Sequence, residues 1–257
     1  MPKFDADEIL SIVQGALDHA EGVWNKHGVA LRERAVAKSV IMDSVENLTS
    51  RIPGHEYVAD DQEKVSTFIA LVADIRNSSQ HLLCAISGKE ADVSELQRVY
   101  YETSALLPAL ERTIQYEDGS VTEYLGDGIL SLFYVEEGDK KSAIYAAHRA
   151  AKNCVTETLR IANDELNARY RLPPLQIGIG LAMSPALISL VGLPGNSHPK
   201  AIGRCVYNAT KLSGGRNEIL VDTNINREWP TSEGGRLKFI PRTMHNVSGY
   251  LIRRKND

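Results

Sequence analysis

Two aspartates stand where packing alone does not account for a carboxylate. Asp74 closes the continuous apolar run of residues 65–73, and Asp127 lies between glycines in Gly126-Asp127-Gly128. A charged group beside a buried strand needs a partner. If the run before Asp74 and the segment around Asp127 are neighbours in one sheet, both carboxylates meet at one edge of it. Paired carboxylates with few basic neighbours suit Mg²⁺ or Mn²⁺, which prefer oxygen and share their ligand shell with substrate phosphates. The plainer alternatives are a helix cap at Asp74 and an Asx turn at Asp127. Residues Asp74, Ile75, Arg76, Asn77, Ser78 and Ser79 also open a helix, whose first backbone N–H groups have no partner and attract an anion. Ser78 or Ser79 as a simple cap is the competing role.

These residues need a scaffold. Residues 65–73 read as a buried central strand. Segments 120–125 and 129–134 flank the Gly-Asp-Gly turn as a hairpin. Helical periodicity is strongest over 96–114, despite Pro108, and returns over 139–169. Strands are expected at 175–181, 187–193 and 218–221, a short helix at 206–212, and a final strand pair at 237–240 and 250–252. Upstream, Ile9, Leu10, Ile12, Val13, Leu17, Ala20 and Val23 recur at helical spacing, with Gly28 expected to end that helix. A second amphipathic stretch covers about 30–50, before Pro53-Gly54. Neither holds clustered ligands, so residues 1–55 read as a helical extension packed on a catalytic domain of residues 60–257, or on a partner subunit. Together these elements predict an α+β fold with a ferredoxin-like core, a mostly antiparallel sheet covered by helices.

Composition narrows the function. The 257 residues are 43% apolar, enough for a substantial core without disulfides. With 29 Lys and Arg against 33 Asp and Glu, the net charge of −4 argues against a nucleic-acid binder. Only Arg253-Arg254-Lys255 is a basic cluster, and a solvated tail is its ordinary meaning. Cys84, Cys154 and Cys205 are odd in number and lack paired spacing, as in a reduced, cytoplasmic protein. No stretch is long and apolar enough for a membrane span, and the start is too polar for a signal peptide.

In chain order, four segments resemble motifs of the class III adenylate and guanylate cyclases. The run from Phe68 through Asp74 to Ser79 is similar to the first metal-binding strand and turn. The run from Glu123 through Asp127 to Phe133 resembles the second metal motif. Leu175 to Ala182 resembles the central strand, and Ile202 to Leu212, followed by Glu218-Ile219-Leu220-Val221, resembles the catalytic helix and the next strand. The resemblance implies that Asp74, Asp127 and the Ile75 carbonyl hold two divalent metal ions, Mg²⁺ or Mn²⁺. One would assist attack by the ribose 3′-hydroxyl and the other would bind the triphosphate. Arg242, eight residues before Tyr250, matches the position of the family's triphosphate-binding lysine. The family's ribose-orienting asparagine and transition-state arginine are replaced by Tyr207 and Lys211, with Asn208 one residue and about 100° around the helix from the first of these. The family builds its sites between two such domains, so the resemblance implies a homodimer.

Base choice in this family rests mainly on two positions, which fall here on Glu123 and Lys200. A carboxylate acceptor beside an ammonium donor suits guanine, uracil or, with other contacts, cytosine, and argues against adenine. Tyr207 and Tyr124 are large enough to narrow the pocket toward a single ring. The chain also resembles the bacterial pyrimidine cyclases of the Pycsar anti-phage systems, which implies cyclic UMP or cyclic CMP as product and a separate effector protein that binds it. UTP is favoured because Lys200 fits O4. A guanylate or adenylate cyclase, and an inactive cyclase-homology module that only binds or dimerises, are the alternatives. A Gly-x-Ser-x-Gly hydrolase elbow and histidines at metal-binding spacing are both absent from the sequence.

Overall fold

Phe68 through Ala73 are buried on both faces of their strand, which places this strand at the centre of a two-sided core. The computed structural model describes residues 3–33, 49–58, 63–83, 93–193, 196–231 and 235–255. In chain order the elements are α1 (Ala6–Glu33), β1 (Thr49–Ile52), β2 (His55–Tyr57), β3 (Lys64–Ile75), α2 (Ser78–Leu83), α3 (Glu95–Gln115), β4 (Ser120–Tyr124), β5 (Gly128–Tyr134) and α4 (Lys140–Asn153). A π-helical turn (Cys154–Thr158) joins α4 to α5 (Leu159–Tyr170). There follow β6 (Ile177–Leu193), β7 (Asn196–Gly203), α6 (Arg204–Leu212), β8 (Glu218–Asp222), α7 (Thr223–Glu228), β9 (Leu237–Met244) and β10 (Val247–Arg254).

The main sheet runs β4-β5-β3-β6-β8-β10-β9, with β7 paired to the outer half of β6. Its first four strands are antiparallel, and β6 with β8 is parallel. Taken as β3-helices-β4-β5-helices-β6, this is the ferredoxin-like α+β arrangement. The strand period of two sorts β3 between two cores. Ile69, Leu71, Ala73 and Ile75 face the layer of α1, α3, α4 and α5. Phe68, Ala70 and Val72 face the other way, toward Cys205 and Ala209 of α6. Asp74 continues that second series, so it belongs to the α6 face.

Helix α1 buries Ile9, Val13, Leu17, Ala20 and Trp24 in the same core as α3 and α5. It runs through Gly28, which was expected to end it, to Glu33. One glycine costs only about 1 kcal/mol in a helix, a cost that the good helix formers Ala30, Leu31 and Arg32 help to offset. The second N-terminal helix expected over 30–50 lies mostly outside the described residues. The two strands expected at 175–181 and 187–193 are one long strand, β6. Pro185 falls in the gap where pairing with β8 has ended and pairing with β7 has not begun, so the strand continues through it.

Candidate active site

Strand β3 and hairpin β4–β5 bring Asp74 and Asp127 to the same end of the sheet. Asp74 pairs in register with Gly128, and the Ile75 N–H donates to the Asp127 carbonyl at 3.1 Å. Glycine is required at 128, because a Cβ would lie 2.5 Å from the Ala73 carbonyl oxygen and 3.3 Å from Asp74 Oδ1. Gly126 takes φ +78, which turns the chain tightly before Asp127. Arg76 is bound to the first of the two carboxylates, Asp74, and feels the charge of the second, Asp127. Its guanidinium pairs with Asp74 Oδ2, its Nε donates to the Asp74 carbonyl at 3.3 Å, and it is attracted by Asp127. Burial pushes its pKa down, and the neighbouring charge of Arg216 acts in the same direction. The Ser78 hydroxyl donates to Asp127 Oδ2.

These surroundings fit a divalent cation. The two carboxylates offer hard oxygen donors at one strand end, and a divalent ion there would replace the Arg76 guanidinium on Asp74 and the Ser78 hydroxyl on Asp127. Among the described residues no cluster of three or more His, Cys, Asp and Glu forms a closed cage. Two carboxylates and open coordination positions suit Mg²⁺ or Mn²⁺ completed by water and phosphate, and do not suit structural zinc. The Ile75 side chain is buried in the helix-side core, so only its backbone carbonyl is a possible ligand. Asn77 takes φ +61 in the turn after β3, and its carbonyl accepts from the N–H groups of Gln80 and His81. The Ser79 side chain lies outside the described residues.

A second pair forms on the same face. Lys200 Nζ sits 2.7 Å from Glu123 Oε2. Glu123 pairs with Leu130, whose side chain belongs to the α6-side core, so its carboxylate emerges there. Tyr124 does not share this face. As the next residue along β4 it turns away, and its hydroxyl donates to Glu111 of α3. Burial and that carboxylate push its pKa up to about 12. The expectation that Tyr124 narrows a base pocket beside Glu123 is therefore corrected by strand alternation.

Helix α6 lies against the sheet because β6 carries glycines beneath it. A Cβ at Gly180 would run into the Ala209 carbonyl, and one at Gly178 into the Ser213 carbonyl. Cys205, Ala209 and Leu212 form the buried stripe. Tyr207 and Lys211, one turn apart, face outward. Tyr207 is 58% exposed, and Lys211 Nζ lies 5.6 Å from its ring centroid, a cation–π contact. Asn208 is aimed elsewhere, and its side chain hydrogen-bonds Asp222 at the end of β8. Asp222 also accepts from the N–H groups of Ile225, at 2.9 Å, and Met183, at 3.3 Å. Burial outweighs these bonds and pushes its pKa up to about 6.

Arg242 stands apart, exposed on β9 opposite Gly249. Four strand spacings separate β9 from β3, about 19 Å across the sheet. One chain therefore joins Asp74, Asp127, Arg76 and Ser78, separately joins Glu123 to Lys200 and Tyr207 to Lys211, and leaves Arg242 remote. The sequence reading missed Arg216 and Asp222. Asp222-Thr223-Asn224 directly after an apolar strand is a capping signal that marks the second, whereas Arg216 approaches Arg76 only through tertiary folding.

No protein-family model matches the sequence, and no curated protein sequence matches it. Solved structures do match the fold. The guanylyl cyclase Cya2 aligns with a TM-score of 0.58 at 16% identity, over 74% of this chain and 91% of that one. The adenylyl cyclase CyaB from P. aeruginosa aligns with a TM-score of 0.58 at 14% identity, over 76% and 97%. The non-canonical dimeric guanylyl cyclase domain of the RhoGC fusion protein from the aquatic fungus Blastocladiella emersonii gives 0.52 at 14% identity, over 75% and 97%. The fold of this chain is that of adenylyl and guanylyl cyclase domains.

Proposed function

We propose that this chain is a nucleotide cyclase that converts a nucleoside triphosphate to its 3′,5′-cyclic monophosphate and pyrophosphate. The observation that carries this reading is the convergence of Asp74 and Asp127 at one end of the sheet, on a cyclase fold. The 3′-hydroxyl loses its proton and its oxygen bonds to the α-phosphorus. The bond from that phosphorus to the bridging oxygen of the β-phosphate breaks, and pyrophosphate leaves. Asp74, Asp127 and the Ile75 carbonyl would hold the divalent ions, Mg²⁺ or Mn²⁺, which when bound neutralise the triphosphate and make the hydroxyl more acidic. Lys211 supplies positive charge to the forming transition state as a point charge, without the fork of an arginine. Tyr207 closes over the ribose, Arg242 holds the outer phosphates, and Asn208 acts indirectly, anchoring α6 to Asp222.

The working unit is a homodimer in which one protomer's Asp74 and Asp127 face its partner's α6 and Arg242. The distance from Arg242 to β3 within a single chain supports this arrangement, since no side chain spans about 19 Å. So does the exposure of Tyr207, Ile202 and Leu193 on or beside α6 and the β6–β7 arm.

Glu123 and Lys200 read the base, and a pyrimidine is the preferred substrate. With donor and acceptor side by side, Lys200 donates to O4 of uracil and Glu123 accepts from N3–H, which makes UTP the favoured substrate and CTP the second. The product would act as a second messenger, binding a separate effector protein in anti-phage defence. An assay of the purified protein with Mn²⁺ and each of ATP, GTP, CTP and UTP, resolving products by mass, tests this. A cyclic pyrimidine supports the whole reading. A cyclic purine keeps the chemistry and removes the pyrimidine and defence assignments. No cyclic product from any of the four removes the cyclase reading.

A further inference from the structure

Behind the sheet, on the face opposite α6, a cleft of about 1060 Å³ opens between α4, the π-helical turn and the strand ends of β8, β9 and β10. Its floor is aliphatic, formed by Val155, Ile219, Leu237 and Ile252. Its walls are cationic. Lys152, Arg236, Arg254 and Lys255 line it, and among the described residues none of the four is in an ion pair. Among the described residues Glu218 is the one acidic lining residue, and Arg253 neutralises it at 2.6 Å. Four exposed cations without an acidic partner among the described residues therefore rim an apolar floor in a chain whose net charge is −4. Like charges gathered without partners repel one another, and an anion relieves that repulsion.

Two further features mark the cleft. The π-helical turn interrupts a long helix at its wall and contributes Val155 and Thr156, and such turns concentrate at functional sites. Asn217, also in the wall, exchanges hydrogen bonds with Ile177 and directly follows Arg216, whose charge acts on Arg76. The cleft thus borders, through Asn217, the residue whose charge acts on Arg76.

We propose that this cleft is a second ligand site, binding a small organic phosphate whose phosphate groups meet Lys152, Arg236, Arg254 and Lys255 while its body rests on the aliphatic floor. Its volume is that of a small-molecule pocket. The reading stands whether or not the catalytic proposal does, because no cleft residue belongs to the catalytic face.

Calorimetric titration of the full chain with ADP, in EDTA so that metal-dependent binding is suppressed, tests it. The expected result is a saturable isotherm that Arg236→Gln with Arg254→Gln weakens at least about tenfold, since charge-assisted contacts are lost. Lys211→Gln with Arg242→Gln, on the catalytic face, is expected to leave the isotherm unchanged. An isotherm insensitive to the first pair, one abolished by the second, or no heat up to about 10 mM ADP overturns the proposal. Inorganic pyrophosphate as a second probe separates the parts of the ligand. Weaker binding than ADP is expected if the floor contributes, and equal binding overturns the organic component.

Discussion

Lys200 lies 2.7 Å from Glu123, tying the β6–β7 arm to the β4–β5 hairpin on the face that also carries Asp74 and α6. Both side chains are about one-third exposed, so water screens the pair and it adds little to stability, less than about 1 kcal/mol. A pair that costs two ordered side chains and returns so little energy is better explained by what it presents to a ligand. Glu123→Ala and Lys200→Ala are each expected to change relative kcat/KM among the four nucleoside triphosphates by about 10- to 100-fold. Unfolding free energy should move by less than about 1 kcal/mol. Competition assays with mixed nucleotides check the first expectation, and urea unfolding the second. Unchanged selectivity in both variants would remove them from the base pocket.

Asp74→Asn and Asp127→Asn should each lower turnover by about a thousandfold or more while leaving a folded protein. Both carboxylates sit at a partly open end of the sheet, where an amide still meets Arg76 or Ser78. Initial rates in Mn²⁺ beside circular dichroism provide the check. Activity retained in either variant would sink the metal assignment.

The glycines of the chain should divide sharply by what lies above them. Gly180→Ala forces a Cβ into the Ala209 carbonyl, so α6 must lift from the sheet. A loss of about 3 kcal/mol is expected, with lower turnover because Tyr207 and Lys211 move with the helix. At Gly15 in α1 a Cβ would enter open space, with no atom within 4 Å. Gly15→Ala should therefore stabilise the protein by about 0.5–1 kcal/mol. Urea midpoints of the two variants against the wild type decide between these signs.

Much of this was legible in the sequence because the signals were local. An apolar run cut off by Asp74, a Gly-Asp-Gly turn and the 3.6-residue stripe of α3 each announce their own element. The ferredoxin-like order follows from the succession of such elements. What stayed hidden depended on neighbours. Strand β7 includes His198, Pro199 and Lys200 and exists because β6 offers it an edge. Tyr124 was misjudged because adjacency in sequence means opposite faces in a strand. Asn208 was placed only by its angle of about 100° around the helix from Tyr207, yet a buried carboxylate, Asp222, determines where it points. The proximity of Arg216 to Arg76 has no sequence signature.

Asp222 should leave a pH signature opposite to that of a salt-bridged carboxylate. Its folded pKa is pushed up to about 6 from an ordinary value of 3.8, chiefly by burial. Below pH 3.8 both states are protonated and the group contributes nothing. As pH rises from there to 6, the unfolded chain releases the proton first, the folded state binds more protons, and stability falls. Above pH 6 the penalty is complete, about 2–3 kcal/mol as an order of magnitude. Asp222→Asn should flatten this part of the profile. Unfolding free energies of wild type and variant at about pH 4.5, 5.5 and 7 give the difference, which should shift by about 1 kcal/mol or more across the series. A pH-independent difference would show that Asp222 is not titrating there.

The shared-site arrangement makes the sharpest prediction. Lys211→Ala leaves Asp74 and Asp127 intact, whereas Asp74→Asn leaves α6 intact. Each homodimer alone should be inactive, because both of its sites lack one component. After mixing and subunit exchange, half of the dimers are heterodimers. In these, one site joins the intact carboxylates of the first variant to the intact α6 of the second, while the other site is doubly damaged. Half of the dimers with one of two sites restored gives about a quarter of wild-type activity. If each chain instead completes its own site, Asp74 and Lys211 are lost from separate sites and no mixture recovers anything. Co-refolding the two variants at equal concentration and measuring cyclic nucleotide formation distinguishes the cases.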